Sequence, residues 1–190
     1  MTVLDRLERA LRNRSPVNVV DPARREAAVA LVLAPDPDML LLIRRAEHPR
    51  DPWSGQMGLP GGRRDPGDSD LLATAIRETR EEVGLDLRGA RLLGTLDDLA
   101  PTIPVLSPII VRPHVFALDR WFEELVLSAE VQYVRWAPLA DLNHPACYRP
   151  YTFEHGGLRY SRPGYHLGDD VVWGMTERIL TPLLEMLGSG

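Results

Sequence analysis

An α/β fold, a mixed β-sheet sandwiched between helices, is what this sequence predicts, and three observations carry it. Short apolar runs of strand length follow one another: Ala27 to Leu33, Met39 to Arg44, Leu92 to Leu96, Ile109 to Leu118 and Glu130 to Trp136. A strongly amphipathic helical stretch, from about Asp70 to Val83, lies among them, and further helical patterns stand near both ends. The chain has 190 residues, which suits one domain with a sizeable core. Strands in succession, mixed with helices, bury their apolar faces by layering.

The elements follow in order. A helix is expected from roughly Val3 to Asn13, inside a lead-in that reaches about residue 25. The strands Ala27 to Leu33 and Met39 to Arg44 are partners across the turn Asp36-Pro37-Asp38. The central helix has Ser69 or Asp68 placed to cap its start, and Gly84 placed as its left-handed stop. A proline-punctuated loop, Pro101 to Pro108, separates the next two strands. Pro138 to Leu142 reads as a short helical turn. Tyr151 to Phe153 and Leu158 to Tyr160 read as a hairpin around His155-Gly156-Gly157, within a segment, 148–170, expected near the substrate site. A last helix is expected after Asp170, with Val172, Met175, Ile179 and Leu183 at helical spacing and Pro182 as a kink or restart. The chain shows no repeats and no long low-complexity linker.

The most informative stretch is Gly61 to Leu85. The loop Gly61-Gly62-Arg63-Arg64-Asp65-Pro66-Gly67-Asp68 feeds a helix ending Arg77-Glu78-Thr79-Arg80-Glu81-Glu82-Val83-Gly84-Leu85. At about 100° per residue, Glu81 and Glu82 fall about 60° to one side and 40° to the other of Glu78. Carboxylates so placed repel one another and weaken an isolated helix. A divalent cation would offset that repulsion. The plainer alternative is a solvated acidic face on an ordinary amphipathic helix. Leu72, Ile76, Thr79 and Val83 cluster roughly 130° from Glu78 as an apolar seam. Arg77, one turn before Glu81, is placed to hold that carboxylate. Glycines at Gly61 and Gly62 let a phosphate approach the backbone closely, or a carbonyl turn toward a cation.

This segment resembles the sequence box of the Nudix hydrolases, which cleave nucleoside diphosphates linked to another group. Their pattern runs from a glycine through an isolated glutamate to Arg-Glu-apolar-any-Glu-Glu-any-Gly-apolar. Arg77, Glu78, Glu81, Glu82, Gly84 and Leu85 match its second half without a gap. The first half departs from it: Gly62 lies one residue further from Arg77, Asp68 stands where glutamate is expected, and Thr79 replaces a larger apolar residue. A narrower resemblance points to the coenzyme A pyrophosphatases. Their upstream motif, Leu-Leu-x-x-Arg-Ser/Ala, then Arg, Gly and Phe-Pro-Gly-Gly, is similar to Leu41-Leu42-Ile43-Arg44-Arg45-Ala46, Arg50, Gly55 and Leu59-Pro60-Gly61-Gly62. Asp65, Asp68 and the segment Trp173-Gly174-Met175-Thr176 also resemble that subgroup. One extra residue around Asp51-Pro52-Trp53, and Leu59 in place of phenylalanine, depart from it.

The resemblance implies an α/β/α sandwich and a pyrophosphohydrolase that uses Mg2+ or Mn2+. Glu78, Glu81 and Glu82 become the metal ligands, with the Gly62 carbonyl as a backbone donor. Magnesium binds hard carboxylate and phosphate oxygens together and lowers the pKa of bound water. Glu81 and Glu82 also enter as catalytic candidates, with Arg77 as their orienting partner. A further carboxylate after the box is common in the family. Glu130 is the candidate here, ahead of Asp97, Asp98 and Glu154. Arg45 and Arg50, with Gly61, are candidates for the substrate phosphates, since the planar guanidinium suits them; a surface salt bridge is the plain reading of either arginine. Trp53 and the tyrosines near Tyr151 are candidates for stacking on a base, against ordinary core or rim packing.

Composition bounds these readings. The net charge of −5 argues against a general nucleic-acid binder. All 22 basic residues are arginine, so each carries less individual weight. The single Cys147 allows no intrachain disulfide and reads as a buried small residue, which fits a reducing compartment. His48, His114, His144, His155 and His166 form no metal-ligand spacing. No apolar run reaches about 18 residues, and Met1 to Arg14 is charged and amphipathic. A cytoplasmic protein with no membrane contact and a small nucleotide substrate is expected, with a homodimer possible on family grounds. Three functions compete: a hydrolase of coenzyme A or a derivative, a hydrolase of ADP-ribose, NADH or another dinucleotide, and a catalytically silent nucleotide sensor. The retained glutamates oppose the third.

Overall fold

A computed structural model describes residues 2–48, 54–101 and 108–188. Ten strands and four α-helices are assigned among them. The main sheet is mixed and contains strands β1 (Arg25–Ala34), β2 (Met39–Arg45), β3 (Met57–Gly58), β4 (Gly61–Arg63), β5 (Arg91–Thr95), β6 (Ile109–Ala117) and β7 (Val131–Pro138). β1 and β6 run parallel over nine residue pairs, Arg25 with Ile109 through Leu33 with Ala117, and the other pairings are antiparallel. The long apolar runs of β1 and β2 reflect burial on both faces.

Side-chain alternation divides that sheet cleanly. Ala28, Ala30, Val32, Leu41 and Ile43 point to the face covered by α2 (Leu71–Val83). Leu31, Leu33, Leu40 and Leu42 point to the other face, where α1 (Val3–Arg12) supplies Leu4, Leu7 and Leu11 and α4 (Met175–Gly188) supplies Ile179, Leu180, Leu183 and Leu184. The layers are those of the expected sandwich. Thr2 caps α1 with a reciprocal capping box to Asp5.

The second sheet is antiparallel, in the order β10–β9–β8, from β8 (Tyr148–His155), β9 (Leu158–Leu167) and β10 (Asp170–Trp173). It is far longer than the expected hairpin. Val172 belongs to β10 rather than to the last helix, because Gly168 turns the chain back with φ +67° and Asp170 to Trp173 pair with Leu167 to Gly164. α4 then runs continuously from Met175 to Gly188 across Pro182. The helical turn after β7 is α3 (Leu139–Leu142). The interior of the proline-rich loop, residues 102–107, lies outside the described residues.

A few pairings place the site. β1 bonds β2 only at Leu33 and Ala34, while Ala27 to Val29 bond β4. Between the two, the Ala30 amide donates to the Pro60 carbonyl at 2.8 Å. β1 thus parts from β2 where β4 enters, and the loop carrying Gly61 and Gly62 is held against the sheet beside α2.

Candidate active site

The cap of α2 lies one residue beyond Ser69 and two beyond Asp68. Asp70 takes that role, its carboxylate accepting from the Ala73 amide at 2.8 Å. Asp68 is committed elsewhere, to Arg77. Gly84 ends the helix at φ +71°, as expected. The buried stripe is shifted from the expected seam: Leu71, Thr74, Ala75, Thr79 and Val83 are buried, whereas Leu72 and Ile76 are half-buried. Thr79 fits in the core because its hydroxyl donates to the Ala75 carbonyl at 2.7 Å.

Arg77 organises the loop and the helix together. Its guanidinium donates to both Asp68 oxygens at 2.9 Å, to Glu81 at 2.8 Å and to the Arg63 carbonyl at 3.0 Å. Glu78 lies 3.0 Å away. The bidentate pair holds Asp68 well below the usual carboxylate range, and the Asp68 oxygens also accept from the Asp65 amide and the Thr74 hydroxyl. Arg77 thus ties Asp68 and the Arg63 carbonyl in the loop to Glu78 and Glu81 on the helix. Asp68, expected as a possible helix cap, instead ties the lengthened loop to the helix through Arg77.

The three glutamates are not equivalent. Glu82 is only 4% exposed, which excludes the simple solvated face. Its Oε2 accepts from the Gly61 amide at 2.9 Å, and Arg45 stands 3.8 Å from Oε1. Burial outweighs both contacts and pushes the Glu82 carboxyl up to about 7, with Glu78 and Glu130 adding repulsion. Glu78 is raised as well, first by burial and then by Glu81 and Asp65, against the pull of Arg77. Glu81 is the most open and leans on Arg77. Gly62 sits so close to Glu78 that a Cβ there would lie 2.5 Å from the carboxyl carbon.

These groups line a cleft of about 570 Å³, together with Arg45, Gly61, Gly62, Glu130, Trp173, Met175 and Thr176. Glu130 is exposed, just before β7, and the backbone there is pinned because its carbonyl accepts from the Ala46 amide at 2.8 Å. Asp97 bonds Arg14 and the Val17 amide, Asp98 bonds Arg112, and neither lines the cleft; nor does Glu154, on β8. Arg50 and Trp53 lie outside the described residues. A larger hollow of about 720 Å³ lies beyond Arg63 and Asp65, but Arg24, Arg64 and Arg112 in it each carry a carboxylate partner.

As they stand, no three acidic, histidine or cysteine side chains among the described residues converge tightly enough to hold an ion, and Arg77 bridges Glu78 and Glu81. The donor set still fits a hard divalent cation. The carboxyls of Glu78 and Glu82 are raised by desolvation, face a common cleft and adjoin the Gly61-Gly62 backbone.

The sequence missed two things. One is β10, hidden because four residues between glycines carry little periodicity; it brings Trp173, known beforehand only as part of a family-like segment, into the cleft wall. Asp170 accepts from Tyr133 and, at 3.0 Å, from Arg135, which fastens β10 to β7. Nothing in the spacing pairs those residues.

Comparison with known proteins bears on the family and the fold. The chain matches the NUDIX domain over residues 23–154. An uncharacterized protein of Schizosaccharomyces pombe is 41% identical over 118 residues, which are 57% of this chain and 34% of that one, so this chain spans about a third of that relative. The mitochondrial coenzyme A diphosphatase NUDT8 of Homo sapiens is 32% identical over 181 residues, 89% of this chain and 71% of that one. Among solved structures, a MutT/nudix family protein from Enterococcus faecalis aligns at a TM-score of 0.57 and 17% identity, covering 95% of this chain and 67% of that one. That last likeness is one of fold.

Proposed function

Because the chain belongs to the Nudix family of hydrolases acting on pyrophosphate bonds, we propose that its substrate is coenzyme A or a derivative, split to 3′,5′-ADP and phosphopantetheine. The observation that carries the reading is the pair of desolvated carboxylates, Glu78 and Glu82, set beside the Gly61-Gly62 backbone in a cleft that also holds Arg45 and Glu130. The upstream motif around Arg44-Arg45-Ala46 and the likeness to the human coenzyme A diphosphatase support the choice of substrate.

Nudix hydrolases use divalent ions, and Glu78, Glu81, Glu82 and the Gly62 carbonyl are the residues that would hold Mg2+ or Mn2+ here. Such an ion neutralises diphosphate oxygens and makes water more acidic. The protein's own part is positional. Gly61 and Gly62 let the diphosphate lie against the backbone, and Arg45 pairs with its oxygens. Glu130 takes a proton from the attacking water, whose oxygen bonds to one phosphorus. The bond from that phosphorus to the bridging oxygen breaks, and the electron pair leaves with the other phosphate. Arg77 keeps Glu81 and the loop in register throughout.

No helix among the described residues is long and apolar enough to cross a membrane. A cytoplasmic location and a homodimer belong to the same proposal, open to fractionation and to light scattering. The substrate test is a product assay of the purified protein, with magnesium or manganese, against coenzyme A, ADP-ribose and NADH. Release of 3′,5′-ADP fastest from coenzyme A is the expected result. Faster cleavage of another dinucleotide would overturn the substrate, and no cleavage of any would overturn the hydrolase.

A further inference from the structure

The second sheet has two unlike faces. One packs into the core through Cys147, Tyr165, Leu167 and Val172. The register puts Tyr151 opposite Arg162, Phe153 opposite Tyr160 and Trp173 opposite Gly164, so these side chains share the other face. They form a continuous aromatic row. The Trp173 ring centroid lies 4.5 Å from Phe153 and 5.6 Å from Tyr151, and Phe153 lies 5.5 Å from Tyr160, near-parallel at 21°. Arg162 stands over Tyr160, with Cζ 6.0 Å from the ring centre.

Two features mark this face as a binding surface rather than a packing surface, and the backbone allows the rings to gather. Tyr151, Phe153, Tyr160 and Trp173 are only half-buried, although they contact one another. The row is continuous with the active cleft, because Trp173 belongs to both. Gly164 lets β10 come close: a Cβ there would lie 3.0 Å from Val171 and 3.5 Å from Trp173. Flat rings beside a cationic guanidinium, one strand away from a diphosphate cleft, match a purine nucleoside bearing an extra phosphate. A pantetheine arm, flexible and without a ring, gains nothing from such a row.

We infer that the aromatic face of β8, β9 and β10 seats the purine base of the substrate, with Arg162 taking the phosphate carried on its ribose. The inference rests on the proposed coenzyme A chemistry and deepens it, since it assigns the nucleotide half to this sheet. Arg162 then discriminates a 3′-phosphorylated nucleotide from one without that phosphate.

The test measures binding of 3′,5′-ADP to the purified protein by titration calorimetry, without turnover, beside coenzyme A kinetics. Phe153→Leu and Tyr151→Leu should weaken 3′,5′-ADP binding by about tenfold to hundredfold, the range of one lost base stack. They should raise KM for coenzyme A, leave kcat nearly unchanged, and leave 4′-phosphopantetheine binding as it was. Phe153→Tyr should restore binding, which a merely structural role would not require. Arg162→Gln should lower the preference for 3′,5′-ADP over AMP while leaving AMP binding unchanged. Absent binding of 3′,5′-ADP by the unaltered protein, equal binding by the folded Leu variants, or loss of 4′-phosphopantetheine instead would each overturn the inference. Failure to cleave coenzyme A would overturn the substrate alone, since the calorimetry is read independently of it.

Discussion

The carboxylate cleft and the aromatic sheet stand side by side and are built on opposite plans. In the cleft, the groups around Arg77 and Glu82 are held by several contacts at once. Arg77 alone joins Asp68, Glu78, Glu81 and the Arg63 carbonyl, and Glu82 is fixed by the Gly61 amide. On the sheet, Tyr151, Phe153 and Tyr160 hold position by strand register and by one another. The difference separates two tasks. Hydrolysis needs charges fixed to fractions of an ångström, whereas stacking tolerates sliding because its energy varies gently with offset.

The comparison can be broken most directly at Glu82. Glu82→Gln keeps the shape and the Gly61 contact but removes a charge, and kcat should fall by about 10²–10⁴-fold with the fold intact. Near-normal turnover in excess magnesium would contradict its assignment. Next comes Arg77→Met, which leaves half-buried Asp68 without its partner and should cost about 1.5–3 kcal/mol in denaturant unfolding. The matching loss on the sheet, Arg162→Gln, should leave the unfolding midpoint almost unmoved. Equal effects of the two would erase the distinction drawn between the regions.

An effect of comparable size follows from pH. The folded-state pKa of Glu82 is raised by burial to about 7, so its contribution is fully present below the ordinary glutamate range and is lost as pH rises through about 7. Asp68 is lowered by Arg77, so its contribution is present above the ordinary range and is lost as pH falls below it. Chelator-treated protein should therefore lose about 3 kcal/mol between pH 5 and 8 from Glu82. Melting curves across that range should show the decline, and Glu82→Gln should flatten it. A decline of the same size in that variant would assign it to other groups.

The smallest effects sit at the paired glycines. Gly62→Ala presses on the mobile end of Glu78, so turnover should drop several-fold while stability changes by less than about 1 kcal/mol. Gly61→Ala instead meets the Ala28 carbonyl at 2.3 Å with φ +152°, and should cost about 1–3 kcal/mol of stability. The reverse ranking would mean that the loop is held from the Glu78 side.

What the sequence told in advance follows the same division. The spacing Glu78, Glu81, Glu82, with Gly84 behind them, was legible because local helix geometry fixes where those groups point. The layers were legible because β1 and β2 are apolar throughout. The true cap at Asp70 was not, because Ser69, Asp68 and Asp70 are all competent caps and only the Asp68–Arg77 pair decides among them. The aromatic row was not legible either. Tyr151, Phe153, Tyr160 and Trp173 come from three strands and meet only through the register of a sheet longer than the hairpin that the glycines suggested.

One backbone detail reaches further than its size. β1 gives one stretch of its edge to β4 and another to β2. The opening between them is cut by main-chain partnership and not by any choice of side chain. Exposed side chains around that gap can therefore change without closing it, and the aromatic face of β8–β10 can vary while its inner face stays anchored in the core. New recognition can thus arise in this architecture while the machinery for breaking the bond stays where it is.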